Sequence, residues 1–326
     1  MQTVLITGAA GGIGTRLRSL LKSVYGLRLS DLKRPPDLRN DEHFVEADLA
    51  DAKALDEAVA GVDGIVHLGG ISGEAPWDAM LQSNIIGTYN LFEAARRHGV
   101  ERVVFASSNH AVGFYPRSRR IGVNDPVRPD SRYGMSKAFG EAVAALYAFK
   151  HGLRVTCIRI GNLTDIPADQ RRLSIWLKPE DLVALVRIGL EHPDIRYEIF
   201  FGVSDNARGW WDNEAAFRYG YRPQGKSEDF RDEALAAQAK LPTNPIAEWF
   251  QGGPACEGLT IAKVEERIMP DQTSRGLYFS EDELHFVCPW HGYEYDMKTG
   301  ECVSDRRLKL RKYHVVQRGD DLYVVA

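Results

Sequence analysis

Short apolar runs bounded by turn-forming residues recur along the first two thirds of the chain: Thr3–Thr7, Leu27–Asp31, Phe44–Asp48, Gly64–His67, Arg102–Ser107, Arg154–Ile160 and Glu198–Gly202. Runs of this length, rich in β-branched residues, predict strands. The intervening text changes period. Trp77–His98 places Met80, Leu81, Ile85, Tyr89, Leu91, Phe92 and Ala95 at helical spacing, and Ser131–Lys150 does the same. Strands that alternate with helices imply an α/β fold with a doubly wound parallel sheet. From about Pro242 the alternation stops, and Gly/Pro-rich text gives way to the β-like runs Leu284–Cys288, Tyr313–Gln317 and Leu322–Val325. This change predicts a small β-rich C-terminal module. The boundary is expected near Ile246–Gly253, giving a first domain over 1–248 and a second over 249–326.

Composition narrows the class without changing this picture. A 326-residue chain with 44% hydrophobic residues has enough apolar material for one large domain and an appendage. The formal net charge of −4 leaves no basic footprint, so neither nucleic acid nor an anionic membrane is expected as a partner. The first apolar run passes straight into a glycine-rich turn rather than a secretory signal core, and no apolar stretch approaches the ~18 residues needed to span a bilayer. A cytoplasmic location follows as the expectation. Four cysteines, Cys157, Cys256, Cys288 and Cys302, are too few for a disulfide scaffold in a chain of this size.

The first strand ends in Gly8-x-x-Gly11-Gly12-Ile13-Gly14 and opens a helix. Gly8 allows a tight turn, Gly11 lets backbone approach a pyrophosphate, and Gly14 lets the helix sit close to the strand, which together make a Rossmann-type dinucleotide site. The second strand ends at Asp31, where a carboxylate accepts hydrogen bonds from ribose hydroxyls and repels a 2′-phosphate. NAD is therefore favoured over NADP. Lys33 and Arg34 either offset that repulsion or sit in a solvated loop. Asp48 and Leu49 after the third strand, and Leu68, Gly69 and Gly70 after the fourth, complete the expected cofactor lining.

Tyr133 and Lys137, four residues apart, share one face of a helix. A phenol with an ordinary pKa of about 10 becomes a usable base when a cation favours its anion. Tyr133 is the candidate base, Lys137 lowers its pKa and bonds the nicotinamide ribose, and Ser108 at the end of the fifth strand holds the reacting hydroxyl. Asn84 either anchors water or backbone near Lys137 on the cofactor side or is a polar helix residue without a role, and His110 is either a substrate contact or a solvated loop residue.

At this point the chain resembles the extended short-chain dehydrogenases, and within them the uronate dehydrogenases. The resemblance covers roughly residues 1–250 and is carried by Gly64-Ile65-Val66-His67-Leu68-Gly69-Gly70-Ile71-Ser72, Asn84-Ile85-Ile86-Gly87, Phe105-Ala106-Ser107-Ser108-Asn109-His110, Leu173-Ser174-Ile175-Trp176 and Gly209-Trp210-Trp211-Asp212-Asn213. It implies a pyranose hexuronate substrate such as galacturonate or glucuronate, oxidised at C1 to the aldarolactone by a homo-oligomeric enzyme. Substrate contacts then fall on Ser72, Ser108, Asn109, His110 and Arg171, with the guanidinium gripping the sugar carboxylate. Asn162 stands where uronate dehydrogenases usually carry serine; its amide can bond a sugar hydroxyl, but its bulk leaves another sugar or sugar phosphate open, as a dehydrogenase or an epimerase substrate.

The tail from Gln251 resembles a Rieske iron–sulfur domain, with Cys288-Pro289-Trp290-His291 as one ligand pair. The other pair falls on Glu248 and Phe250, and phenylalanine has no donor atom, so no iron–sulfur cluster is expected. The tail is read as a structural β-module. The alternatives are zinc held by Cys256, Cys288, His291 and Cys302, or an electron-transfer or binding role.

Overall fold

The computed structural model describes residues 2–242 and 244–257, together with four strands further on. The chain divides into two compact units, Met1–Glu257 and Gly258–Ala326.

The first unit is a seven-stranded parallel sheet with helices on both faces. Its strands are β1 (Thr3–Thr7), β2 (Gly26–Asp31), β3 (His43–Glu46), β4 (Gly64–His67), β5 (Arg102–Ser108), β6 (Arg154–Ile160) and β9 (Tyr197–Gly202), in the spatial order β3-β2-β1-β4-β5-β6-β9. Two-residue strands β7 (Asn162–Leu163) and β8 (Trp176–Leu177) pair separately. β1 lies between β2 and β4, so the chain reverses its winding direction there and the crevice above the carboxyl ends of β1 and β4 is the switch point where ligands bind in such sheets. All seven residues of β5 are buried, as a central parallel strand covered on both faces requires.

On one face α1 (Gly12–Leu21) and α6 (Pro179–Glu191) pack Leu17, Leu21, Leu182 and Leu185 against Val4, Ile6 and Val104. On the other, α2 (Ala52–Val59), α4 (Gly87–Arg97) and α5 (Arg132–His151) pack Leu55, Leu91, Phe92, Val143 and Tyr147 against Leu5, Ile65 and Val103. α3 (Trp77–Met80) continues into a π-helical segment, Leu81–Ile86, and then into α4, so the expected helix is present with one widened turn in its middle. β3 ends two residues before Asp48, whose Oδ1 instead accepts a hydrogen bond from the Ala50 amide and shapes the turn into α2. No described helix is long and apolar enough to cross a membrane.

The segment 249–257, expected with the C-terminal module, packs within the first unit. Gln251 and Gly252 donate backbone hydrogen bonds to Tyr115 O and Gly113 O, each 2.8 Å, and Phe250 is buried edge-on to Phe114. In the second unit His285–Val287 pairs antiparallel with Glu294–Asp296, and His314–Arg318 with Asp321–Val325. Three of these four strands overlap the β-like runs of the sequence, and Glu294–Asp296 is additional. Cys288, His291 and Cys302 lie outside the described residues.

Candidate active site

The turn after β1 is built by glycine. Gly8 has φ +67°, and a Cβ there would lie 2.8 Å from the Gly69 amide nitrogen, so only glycine lets the β1 and β4 turns touch. A Cβ on Gly14 would stand 2.4 Å from the Gly8 carbonyl oxygen, which is why α1 can start directly above the strand. The N-cap residue Gly11 has no side chain to satisfy the first-turn amides, so the positive end of α1 opens onto the crevice. Asp31 closes the other end: its Oδ2 accepts from the Ala10 amide at 2.9 Å and its Oδ1 from Leu32 at 2.7 Å. A cleft of about 440 Å³ runs between these features, lined by Gly8, Gly11, Gly12, Ile13, Gly14, Asp31, Asp48, Leu49, Leu68, Gly69, Gly70 and Ser72; Lys33 joins the lining.

Asn84 acts on this cleft at one remove. Its Oδ1 accepts from the Ile71 amide at 2.8 Å, while its Nδ2 donates to Ile71 O and Ser136 Oγ, each at 3.0 Å. The amide is fully used by protein groups. Asn84 thus pins the β4 loop to α5, and the π-helical turn places it there.

A second cleft of about 290 Å³ continues the first, the two sharing Ile13, Leu68, Gly70, Ile71 and Ser72. It brings together Ser72, Ser108, Asn109, His110, Tyr133 and Lys137. Ser131 caps α5, accepting the Gly134 amide at 3.0 Å, and so sets the turn that carries Tyr133. Lys137 Nζ lies over the Tyr133 ring, 5.6 Å from its centroid, and over Phe105 at 5.1 Å. Burial alone pushes the Lys137 ammonium down to about 8. The phenol departs from the expectation that its lysine neighbour would make it acidic. Burial pushes Tyr133 up, the hydrogen bond with Ser108 pulls it back only in part, and Asp130 adds to the rise.

Asp130 is a site residue that sequence reasoning missed. Its buried carboxylate meets His110 Nδ1 at 2.7 Å through Oδ2 and accepts from Ser131 Oγ at 2.7 Å through Oδ1. The only signal was an acidic residue directly before the cap of the helix bearing Tyr133. The imidazole, held on its Nδ1 side, lies edge-on to Tyr133 with ring centroids 5.8 Å apart.

Arg171 and Asn162 are not in the lining of this cleft. In the amide orientation that satisfies both its polar atoms, Asn109 donates to Ile160 O at 3.1 Å and accepts from Arg171 Nη2 at 3.2 Å. Arg171 therefore stands behind Asn109, with Nε donating to Gln251 O at 2.8 Å. Asn162 is half-buried, its Oδ1 accepting from Thr164 Oγ1 at 3.0 Å, while its neighbours Gly161 and Leu163 reach the cleft.

The model of the NAD dependent epimerase/dehydratase family matches residues 4–164. A uronate dehydrogenase of Pseudomonas syringae pv. tomato is 43% identical over 252 residues, which span 77% of this chain and 91% of that protein. The chain belongs to this family. A crystal structure of uronate dehydrogenase from Agrobacterium tumefaciens, a tyrosine-to-alanine mutant complexed with NAD, superimposes with a TM-score of 0.76 at 43% identity, covering 79% of this chain and 98% of that one. A glucuronic acid dehydrogenase from Chromohalobacter salexigens gives a TM-score of 0.77 at 42% identity over 79% of this chain and 97% of its own.

Two buried groups support the site of this family member from behind. Glu141 on α5 forms a bidentate pair with Arg159 on β6, both contacts 2.9 Å, and accepts from Ser107 Oγ at 2.6 Å, locking α5 to the strand that ends in Ser108. Thr7 Oγ1 accepts from the Gly69 amide at 3.1 Å and forms a hydrogen bond with His67 Nδ1 at 2.7 Å. Burial first, and the Lys137 charge second, push His67 down to about 3, leaving a neutral spacer beneath the cleft.

Proposed function

We propose that this chain oxidises a hexuronate such as galacturonate or glucuronate at C1 to the aldarolactone, using NAD. One observation carries the reading: Ser108, Tyr133 and Lys137 lie in a cleft continuous with one lined by a glycine turn, an uncapped helix N-terminus and a carboxylate at the end of β2. The donor set fits the dinucleotide. The amides of Gly12, Ile13 and Gly14 suit a pyrophosphate and Asp31 a ribose diol, with Asp48 and Leu49 at the adenine end. Bound there, NAD supplies the hydride acceptor.

The chain's own residues supply proton transfer and orientation. Tyr133 takes the proton of the C1 hydroxyl as the carbon loses its hydride, so the C1–O bond becomes the lactone carbonyl and the phenol later returns its proton to solvent. Ser108, in the same cleft as the phenol, holds the reacting oxygen. Lys137 places positive charge against the Tyr133 ring and so favours the phenolate over the neutral phenol that burial prefers. His110, oriented by Asp130, offers Nε2 to a sugar hydroxyl, alongside Ser72 and Asn109. Arg171, reaching Asn109 from behind, presents the cation for the sugar carboxylate at that end.

The same proposal includes a cytoplasmic, self-associating enzyme whose second unit is a Rieske-like β-module without a cluster. The positions that would supply the first ligand pair belong to the dehydrogenase unit: Glu248 is exposed on the short helix Pro245–Trp249, and Phe250 is part of the core.

The test is direct. Purified protein given galacturonate or glucuronate with NAD should form NADH, and Tyr133→Phe should lower turnover at least ~10³-fold while NAD still raises its melting temperature. A wild-type protein that binds NAD yet is inert to both uronates overturns the proposal.

A further inference from the structure

A third and larger cavity, about 580 Å³, lies in the first unit and shares no lining residue with the catalytic cleft. Its wall carries Arg117, Arg171, Arg172 and Arg208 against Asp169 and Glu248. Two of these arginines are matched: Arg172 pairs with Asp169, and Arg208 with Glu228 at 2.6 Å. Arg117 and Arg171 pair with no carboxylate among the described residues. Arg117 donates to the backbone oxygens of Ala247 (2.5 Å) and Phe250 (3.2 Å), and Arg171 to that of Gln251.

Burial pushes both guanidiniums down, Arg171 to about 10, with the charges of Arg117 and Arg172 adding to its fall. Like charges gathered out of water repel, and a bound anion removes that cost. The wall also has an apolar part. The Trp210 indole lies under Arg117, 5.3 Å from ring centroid to guanidinium carbon, and Leu241 and Pro242 stand nearby. An indole face beside fixed cations is the pairing that receives the C–H face of a sugar whose acidic group meets the arginines.

We propose that this cavity is a second ligand site, distinct from the catalytic cleft, for a small sugar-like anion bearing a carboxylate or a phosphate, held by Arg117 and Arg171 over Trp210. Arg171 is the shared wall: its Nη2 meets Asn109 of the catalytic cleft, its Nε donates to Gln251 O, and the residue also lines the second cavity. Occupancy of the second site thereby acts on the arginine at the edge of the first, raising the KM of the substrate without altering kcat. The second site itself does not depend on the assignment of substrate, whereas its effect on KM rests on the reading of Arg171 as the contact for the sugar carboxylate.

Calorimetric titration of the full chain, saturated with NAD, tests it with two probes: galactarate as the dicarboxylate and inorganic phosphate as the other anion. Wild type should bind at least one probe at a site that Arg117→Gln weakens at least tenfold, while the variant's KM and kcat stay within twofold of wild type. Arg172→Gln, at the rim of the same cavity, should weaken the same site and serves if Arg117→Gln fails to fold. Binding of galactarate alone identifies a sugar acid as ligand, and binding of phosphate identifies a phosphorylated one. If neither probe binds, or if all binding survives both substitutions, there is no second site and the proposal is overturned.

Discussion

Replacing Lys137 by methionine should destroy catalysis and stabilise the protein. Burial holds this ammonium at about 8 against an ordinary 10.5, and at about 1.4 kcal/mol per pH unit the charged form costs the folded state about 3 kcal/mol at neutral pH. Methionine keeps an aliphatic stem against Phe105 and carries no charge. Its loss of the contacts with the Phe105 and Tyr133 rings returns about 1 kcal/mol, so a net gain of about 2 kcal/mol remains. For a unit of this size that is a rise of roughly 4–8 °C in melting temperature. The pH dependence has a definite sign. Between about 8 and 10.5 the unfolded chain holds a proton that the folded protein has lost, so wild-type stability rises with pH in that window and the variant's advantage fades. Melting curves of Lys137→Met and wild type from pH 6.5 to about 10, beside NADH formation, measure both effects. A variant no more stable than wild type at pH 7, or an advantage that stays constant up to pH 10, refutes the reasoning.

Asp31→Ser removes the acceptor for the Ala10 amide and the charge facing the ribose; the KM for NAD should rise about tenfold and the preference over NADP should collapse, as read from paired cofactor titrations. Asp130→Asn keeps the shape of the buried group but weakens its hold on His110, so kcat/KM for the uronate should fall roughly 10- to 100-fold with NAD affinity unchanged. Glu141→Gln leaves the buried Arg159 without a carboxylate and should cost about 3–5 kcal/mol, seen as a lower denaturant midpoint, whereas Glu141→Asp should recover part of it.

The alternation of strand and helix was readable because periodicity is a local signal, and a sheet covered on both faces enforces it strand by strand, β5 most plainly. The glycine turn and Asp31 were readable for a related reason: one turn and the end of the next strand meet through a single hydrogen bond from Ala10. Contacts set by distant packing were not readable. Asn84 was readable as an anchor for water or backbone near Lys137, but its partner was not: a π-helical turn, which no periodicity announces, aims its amide at the Ile71 backbone. Asp130 sits in a proline-bearing loop without a pattern, and its role depends on a loop twenty positions earlier bringing His110 to 2.7 Å. The acidity of Tyr133 is set by burial more than by the neighbour that spacing reveals, and burial is a property of the assembled cleft.

The segment from Phe250 to Cys256 shows how a sequence likeness and physical membership can diverge. Its text reads as the start of a second module, but Gln251 is buried and every polar atom of its side chain is used: Nε2 donates to Pro116 O at 3.0 Å and Arg119 O at 2.8 Å, and Oε1 accepts from Trp211 Nε1 at 2.7 Å. Its backbone carbonyl receives Arg171, and next to it a Cβ on Gly252 would stand 2.0 Å from Asp130 Oδ2. A buried amide left without these partners costs about 1–3 kcal/mol, so the segment is held to the dehydrogenase unit by the same bonds that orient its surroundings. Removing it would free Arg171 on one side and uncover Asp130, the partner of the His110 imidazole, on the other. The compact unit therefore extends to Glu257, and the cleft that carries His110 and Tyr133 is held from behind by residues that no catalytic motif contains.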